Sequence, residues 1–437
     1  MRLAVVVQRY GSDVNGGAEL HARYVAEHLA RHADVEVITT CATNYITWSN
    51  DHSQGIEQLN GVPVRRFKVS RERDVEDFGR RSVQVFEKQH SVAAELNWLH
   101  SEGPTCPALI NHLRRHETDY DYCIFFSFRY YHAYHGIRVA AGRAVLVPTA
   151  ERDPVLGLRI FGNCFRGVRA LMYNSHEERA LIQGVSNNAS VPNVVVGIGS
   201  EVPTDPQPAR FRRATGIEGP TIIYVGRVDE NKGCRELFEY FQHYAKTAPE
   251  LTLVLVGKPI MPVPDHPQIR HLGFVSDLEK FDAMAAAELL VMPSYYESLS
   301  MVTLEAWALG RPVIANGGCD VLAGQCVRSN AGLFYENYEE FAEALHTILA
   351  HNTLRQALGE NGRTYFNTHY TWPVIEQKYL GMLERLEREG GSFVNHLNPL
   401  PGWLGRHRRD LPPGQEVVAR LPTGPAPLAP STEVGTR

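Results

Sequence analysis

Two acidic residues, Glu297 and Glu305, stand in "PSYYESLSMVTLEAWALGRPVI", a stretch that otherwise reads as apolar interior. A carboxylate buried without a partner costs several kcal/mol. Each therefore needs hydrogen-bond donors, and the paired hydroxyls of a sugar or a ribose supply them well. On spacing alone, chance also accounts for such a pair in a chain with 49 acidic residues. A second loop, "YVGRVDENKGCRELF", brings cations. Gly226 permits a tight turn at a strand end, and the helix that follows offers unpaired amides and the positive end of its dipole. Arg227 and Lys232 fix two positive charges beside them. That is a diphosphate site in outline, although this loop alone reads equally as an ordinary strand-to-helix connection with surface charges. The G-x-x-x-x-G-K-[ST] spacing of a P-loop is absent.

Both loops need strands and helices to hold them. The first part of the chain alternates "LAVVVQ", the helical "AELHARYVAEHLARH" and "DVEVITT", a strand–helix–strand unit, and adds the strands "YCIFFSF" and "AVLVPTA". Ser175-His176-Glu177-Glu178 has the spacing of a capping box. Around "GIGSEVPTDPQPARFRRATGIEGP" the periodicity stops and Gly and Pro accumulate, which marks a linker. The alternation then restarts with "TIIYVG", "LTLVLVG", "IRHLGF", "LLVMPS" and "RPVIAN", apolar runs of the kind that parallel sheets bury on both faces. Glu297 then follows a strand, and Glu305 sits one turn inside a helix running from about Met301 to Leu309. Two doubly wound domains joined by a linker place a cleft between the carboxyl ends of two sheets, where open α/β folds bind ligands.

The second half resembles the retaining nucleotide-sugar glycosyltransferases of the GT-B fold, in particular the large family four. That family's pattern is G-R-x(4)-K-G followed by P-S-x-x-E-x(7)-E-A-x-A-x-G-x-P-V, and "GRVDENKG" and "PSYYESLSMVTLEAWALGRPV" occur here in that order. "NGGAELHARYVAEHLA" is similar to the family's Gly-Gly loop, with Gly16 and Gly17 where the backbone approaches the donor. The resemblance implies a GT-B fold of two Rossmann-like domains facing a cleft: an acceptor-binding domain over 1–198, a donor-binding domain over 199–370 and a helix over 371–390 that crosses back to the first domain. A Pro- and Gly-rich tail over 391–437 lacks the apolar density to fold by itself.

By the same resemblance Arg227 and Lys232 meet the donor diphosphate and the charge on the departing nucleotide. Glu297 sits beside the donor sugar, Glu305 holds the ribose hydroxyls, and the backbone around Leu299, Ser300, Met301 and Val302 completes the pocket. Ser300 stands where members usually carry Gly. Where many members have a His-Asp pair after a first-domain strand, this chain has Glu151-Arg152-Asp153, so Glu151 is the candidate for that place, with His132 and His135 as spare candidates. The expected reaction is transfer of a sugar from a UDP- or GDP-linked donor, with retention, to a hydroxyl of a glycan or other acceptor, lipid-linked ones included. No cofactor or metal is implied, because Arg227, Lys232 and helix amides take the place of a cation. An epimerase on the same fold and a binding protein that has lost transfer are the alternatives. A phosphorylase lacks an obvious pyridoxal lysine, and a dehydrogenase lacks G-x-G-x-x-G after the first strand.

Composition narrows the partners. A net charge of −5 gives no reason to expect nucleic acid. Seven cysteines without C-x-x-C spacing read as reduced thiols, and "MRLAVVVQRY" reads as a first strand and not a signal peptide. Together these suggest a cytoplasmic protein. Arg65, Arg66, Lys68, Arg71 and Arg73 in "VRRFKVSRERD" could meet an anionic membrane, which would make it peripheral at the inner face, or could form a solvated surface.

Overall fold

Apolar runs such as Leu3–Val6, fully buried along with Ile124–Phe126 and Val145–Val147, can satisfy their backbone polar groups only by pairing with other strands. They do so in a computed structural model that describes residues 1–14, 16–390 and 414–419. The first sheet holds β1 (Arg2–Val6), β2 (Asp34–Thr40), β3 (Gly55–Leu59), β4 (Val62–Phe67), β5 (Tyr122–Phe126), β6 (Ala144–Val147), β7 (Ala170–Tyr173) and β8 (Asn193–Val195). Their order is β3-β4-β2-β1-β5-β6-β7-β8, parallel except for the β3–β4 hairpin. The second sheet is all parallel in the order β11-β10-β9-β12-β13-β14, with β9 (Thr221–Val225), β10 (Thr252–Val256), β11 (Ile269–His271), β12 (Leu289–Met292), β13 (Val313–Asn316) and β14 (Gly332–Tyr335). Strand order reverses beside β1 in one sheet and beside β9 in the other. Those reversals open crevices at the carboxyl ends of the strands.

One helix joins the two halves. Trp372–Glu389 buries Trp372, Ile375, Tyr379, Met382, Leu383 and Leu386. Against the helix Gly17–Leu29 of the first domain, Trp372 stacks on His28 with ring centroids 3.7 Å apart. Glu376 receives His28 Nδ1 at 2.6 Å and His32 Nε2 at 2.8 Å. The tail expected from residue 391 lies outside the described residues, apart from the short helix Gly414–Ala419, which belongs to a separate unit. Among the described residues no helix is long and apolar enough to cross a membrane.

The basic run of the first domain is not a cationic surface. Arg66 falls on the buried face of β4 with Val62 and Val64 and is 2% exposed. Its guanidinium bonds Glu57 Oε1 and the Tyr10 carbonyl, Arg65 bonds Glu36, and Arg73 bonds Glu102. Lys68 and Arg71 remain exposed. Two separated charges offer little to an anionic membrane.

Because Ile375 is fully buried where the last helix seals both domains, Ile375→Ala should lower the stability of the whole chain by about 2–5 kcal/mol. Urea unfolding followed by circular dichroism checks this; a shift within error would mean that the helix is not part of the cooperative core.

Candidate functional site

The two crevices open into one cleft of about 750 Å³, lined from both domains. From the second domain come the turn after β9 and the segment after β12. Gly226, with φ +152°, ends β9, and Lys232 lies in a single 3-10 turn before the helix Cys234–Ala245. Gly233 has φ +73°, and a Cβ there would stand 2.0 Å from the carbonyl oxygen of Pro293. A side chain at that position is excluded twice, by conformation and by the strand end it touches. That close approach brings Lys232 Nζ within 2.8 Å of Glu297 Oε1. Burial works against the charge on Lys232, but the Glu297 carboxylate and its hydrogen bond outweigh it and hold the ammonium above the usual lysine range. Arg227 pairs with Asp229 at 2.9 Å and stays half exposed.

The helix Met301–Ala308 begins at the cleft. Ser300 caps it by accepting the Thr303 amide at 3.3 Å, which leaves the first amides free to meet an anion. Leu299, Ser300, Met301 and Val302 all line the cleft. Glu305 does not. It lies one turn deeper, where Oε1 accepts Lys280 Nζ at 3.1 Å and Oε2 is buried without a partner. Burial pushes its carboxyl up, and the Lys280 charge opposes that shift.

From the first domain, Gly16 and Gly17 open the helix Gly17–Leu29. A Cβ on Gly16 would collide with Glu19 Oε2 at 2.1 Å, whereas at Gly17 nothing lies within 4 Å. The first glycine protects the Arg9–Glu19 pair, whose guanidinium nitrogens lie 2.8 and 2.6 Å from Glu19 Oε1; the second keeps the backbone approachable. Glu151 lines the cleft, and its carboxyl is pushed up by burial and then by the nearby Glu297 charge. All the expected site residues other than Glu305 thus meet in one cleft.

His132 and His135 are elsewhere. His132 is fully buried and bonds the Phe126 carbonyl at 2.9 Å, and His135 pairs with His100 at 3.2 Å. Burial lowers His132 to about 4 and His135 to about 3, so both are neutral packing groups. The histidine that does line the cleft is His21, buried against Phe126 and lowered to about 3 by desolvation. The reciprocal cap expected at Ser175–Glu178 forms only in half. Ser175 Oγ accepts the Glu178 amide, but the Glu178 carboxylate turns to the amides of Asn174 and, at 2.6 Å, Ala150. It ties the ends of β6 and β7 together.

Sequence reasoning did not single out Gln8, Arg9, Ser127, Arg129, Thr149, Asn174 or Lys258, all of which line the cleft. Ser127 and Thr149 adopt φ +64° and +51° and share a 2.8 Å hydrogen bond, the sparsely populated backbone that functional sites tend to hold. A signal was available: each of these residues follows an apolar strand run, and "LVLVGK" places Lys258 after β10 as "IIYVGR" places Arg227 after β9.

Comparison with known proteins fits this geometry. Residues 219–351 match the sequence model of the family described as "Glycosyl transferases group 1". The lipopolysaccharide core biosynthesis glycosyltransferase LpsE of Rhizobium meliloti (strain 1021) is 28% identical over 232 residues, 50% of this chain and 65% of that protein. The D-inositol 3-phosphate glycosyltransferase of Kribbella flavida is 30% identical over 197 residues, 39% of this chain and 46% of that protein. The chain therefore spans less than two thirds of the length of these relatives. The crystal structure of Anabaena Alr3699/HepE in complex with UDP-glucose superposes with a TM-score of 0.64 at 18% identity, covering 89% of this chain and all of that one. The fold is GT-B. Within it, the family match covers β9 to β14, the sheet that carries Arg227, Lys232 and Glu297.

If Gly17 serves approach and not folding, Gly17→Val should leave the unfolding midpoint nearly unchanged, since a helical Gly-to-Val exchange alters stability by only a few tenths of a kcal/mol. Binding of a UDP- or GDP-sugar, measured by calorimetry, should be lost. A destabilised protein that still bound ligand would contradict that assignment.

Proposed function

We propose that this chain is a glycosyltransferase that moves a hexose from a nucleotide diphosphate donor, UDP- or GDP-linked, to an acceptor hydroxyl with retention at the anomeric carbon. One observation carries the reading: Arg227, Lys232, Lys258 and the free amides of the Met301 helix converge on one cleft, with Glu297 beside Lys232. Three cations and a helix N-terminus are what a departing nucleoside diphosphate requires. The family match over 219–351 and the likeness to HepE, whose crystal structure is a complex with UDP-glucose, support it.

In this reading, negative charge grows on the diphosphate oxygen as the bond to the anomeric carbon breaks, and Arg227, Lys232 and the helix amides meet it. The acceptor oxygen attacks from the face the leaving group vacates and passes its proton to the departing phosphate oxygen. Glu297 orients Lys232 and reaches a donor-sugar hydroxyl. Glu151, across the cleft, accepts a hydrogen bond from the same sugar. Glu305, with one oxygen uncommitted, takes the ribose diol once ligand binding draws it away from Lys280. The first domain supplies the acceptor side, a glycan or other hydroxyl compound, lipid-linked ones included.

Lys232→Ala and Arg227→Ala should each reduce turnover about 10²–10³-fold, the usual loss for one group stabilising developing charge. Donor screening by mass spectrometry identifies the substrate, and steady-state rates measure the effect. Both variants working within a few-fold of the parent chain would refute the donor-site assignment. Analysis of the product's anomeric configuration by NMR tests retention.

A further inference from the structure

The cleft is electrically lopsided. On the second-domain side Arg227, Lys232 and Lys258 meet two carboxylates, Glu297 beside Lys232 and Asp229 beside Arg227, and Lys258 makes no side-chain ion pair among the described residues. On the first-domain side two guanidinium groups, Arg9 and Arg129, meet three carboxylates, Glu19, Glu151 and Asp153. Neither guanidinium is available to a ligand as a free charge. Arg9 forks onto Glu19 and donates Nη1 to the Thr43 carbonyl at 2.6 Å. Arg129 bonds Glu102 at 3.0 Å and Asp153 at 2.8 Å.

What this side does leave uncommitted is hydrogen-bond acceptors. Gln8 Oε1 and Asn174 Oδ1 have no partner although both side chains are buried and line the cleft. The Glu151 carboxyl makes no hydrogen bond among the described residues, whereas Asp153 spends Oδ2 on Arg129 and Oδ1 on the Val155 amide at 2.8 Å. Hydroxyl groups donate to such atoms; phosphate oxyanions cannot, and would face uncompensated negative charge. Tyr45, 44% exposed at the rim beside Trp48, adds the aromatic surface that packs against the C–H groups of a sugar ring.

We propose that the first-domain half of the cleft takes an uncharged, hydroxyl-rich sugar unit as acceptor and rejects acceptors bearing a phosphate next to the reacting hydroxyl. This rests on the transfer reading above, and the test separates the two. The protein saturated with UDP or GDP is titrated with the methyl glycosides of glucose, galactose and mannose and with their 6-phosphates, followed by ligand-observed proton and phosphorus NMR. At least one neutral glycoside should bind roughly tenfold or more tightly than its phosphate. Asp153→Asn, which keeps the shape but frees one arm of Arg129, should narrow that gap to about threefold or less while nucleotide affinity stays unchanged. A phosphorylated ligand that binds as tightly as its neutral partner, or no neutral glycoside binding at all, overturns the proposal. If neither UDP nor GDP binds, by calorimetry, it is the donor reading that fails.

Discussion

A parallel sheet must cover both faces with helices, so the edge at the carboxyl ends of its strands is where backbone and side chains can still meet a ligand. Two such sheets, each reversing its strand order beside its first strand, constrain everything else in this molecule. The groups that line the cleft lie at or beyond the carboxyl ends of β1, β2, β5, β6, β7 and β8 on one side and β9, β10 and β12 on the other. Gly233 is where this constraint becomes chemistry. Because it allows the turn after β9 to lie against Pro293 at the end of β12, a lysine from one loop and a carboxylate from the next form an ion pair with little freedom to separate. Preorganisation of this kind removes reorganisation cost at the moment charge develops.

The ion pairs that line the cleft serve different ends. Lys232 and Glu297 are only partly buried, with side chains 29% and 12% exposed, so an incoming anion can share the ammonium without stranding the carboxylate. Arg9 and Glu19 are more enclosed, with side chains 10% and 6% exposed, and the fork between them uses most of the guanidinium. Breaking such a pair leaves a buried charge uncompensated, so it behaves as architecture. The difference lies in depth and geometry, not residue type, and it explains why one side of the cleft presents positive charge while the other presents acceptors.

Much of this was legible in the sequence and some was not, for identifiable reasons. The apolar strand runs were visible because periodicity is a local property, and the two loops carrying Arg227, Lys232 and Glu297 stood out through their resemblance to a family pattern, since spacing alone left chance open. The hairpin β3–β4 was missed even though Asn60-Gly61 between "GIEQL" and "VPVRRF" is a strong turn signal. Reading five basic residues as one patch ignored strand alternation, which sends Arg66 inward beside Val64. Glu178 had the spacing of a cap, but the ends of β6 and β7 offered its carboxylate better donors. The same limit hid Lys280 as the partner of Glu305, since the two are 25 residues apart and meet only when helices pack. His21 lay within the quoted Gly-Gly stretch, but nothing in that stretch marked it as a cleft residue.

The two halves of the cleft belong to different sheets, so their spacing is set by what bridges the domains. The helix Trp372–Glu389 does so through its apolar stripe and through Glu376, held by two histidines of the first domain. Nearer the cleft, Arg152 pairs with Asp320 and Arg328 with Glu177, while Asn174 Nδ2 reaches Ser298 Oγ at 3.4 Å. Of these contacts only Arg152–Asp320 is on the surface, where an ion pair contributes at most about 1 kcal/mol; the Arg328–Glu177 pair is doubly bonded and largely enclosed, and Asn174 is buried. The helix supplies an apolar seam between the halves, and the polar bridges add directional contacts beside it. A transfer between two bound molecules needs its reacting atoms within about 3–3.5 Å. The last helix reaches the cleft itself, since Tyr379 Oη lies 3.3 Å from Nε2 of His21, which lines it. In the proposed transfer, the apolar stripe of the last helix therefore matters because it holds the two halves of the cleft in register.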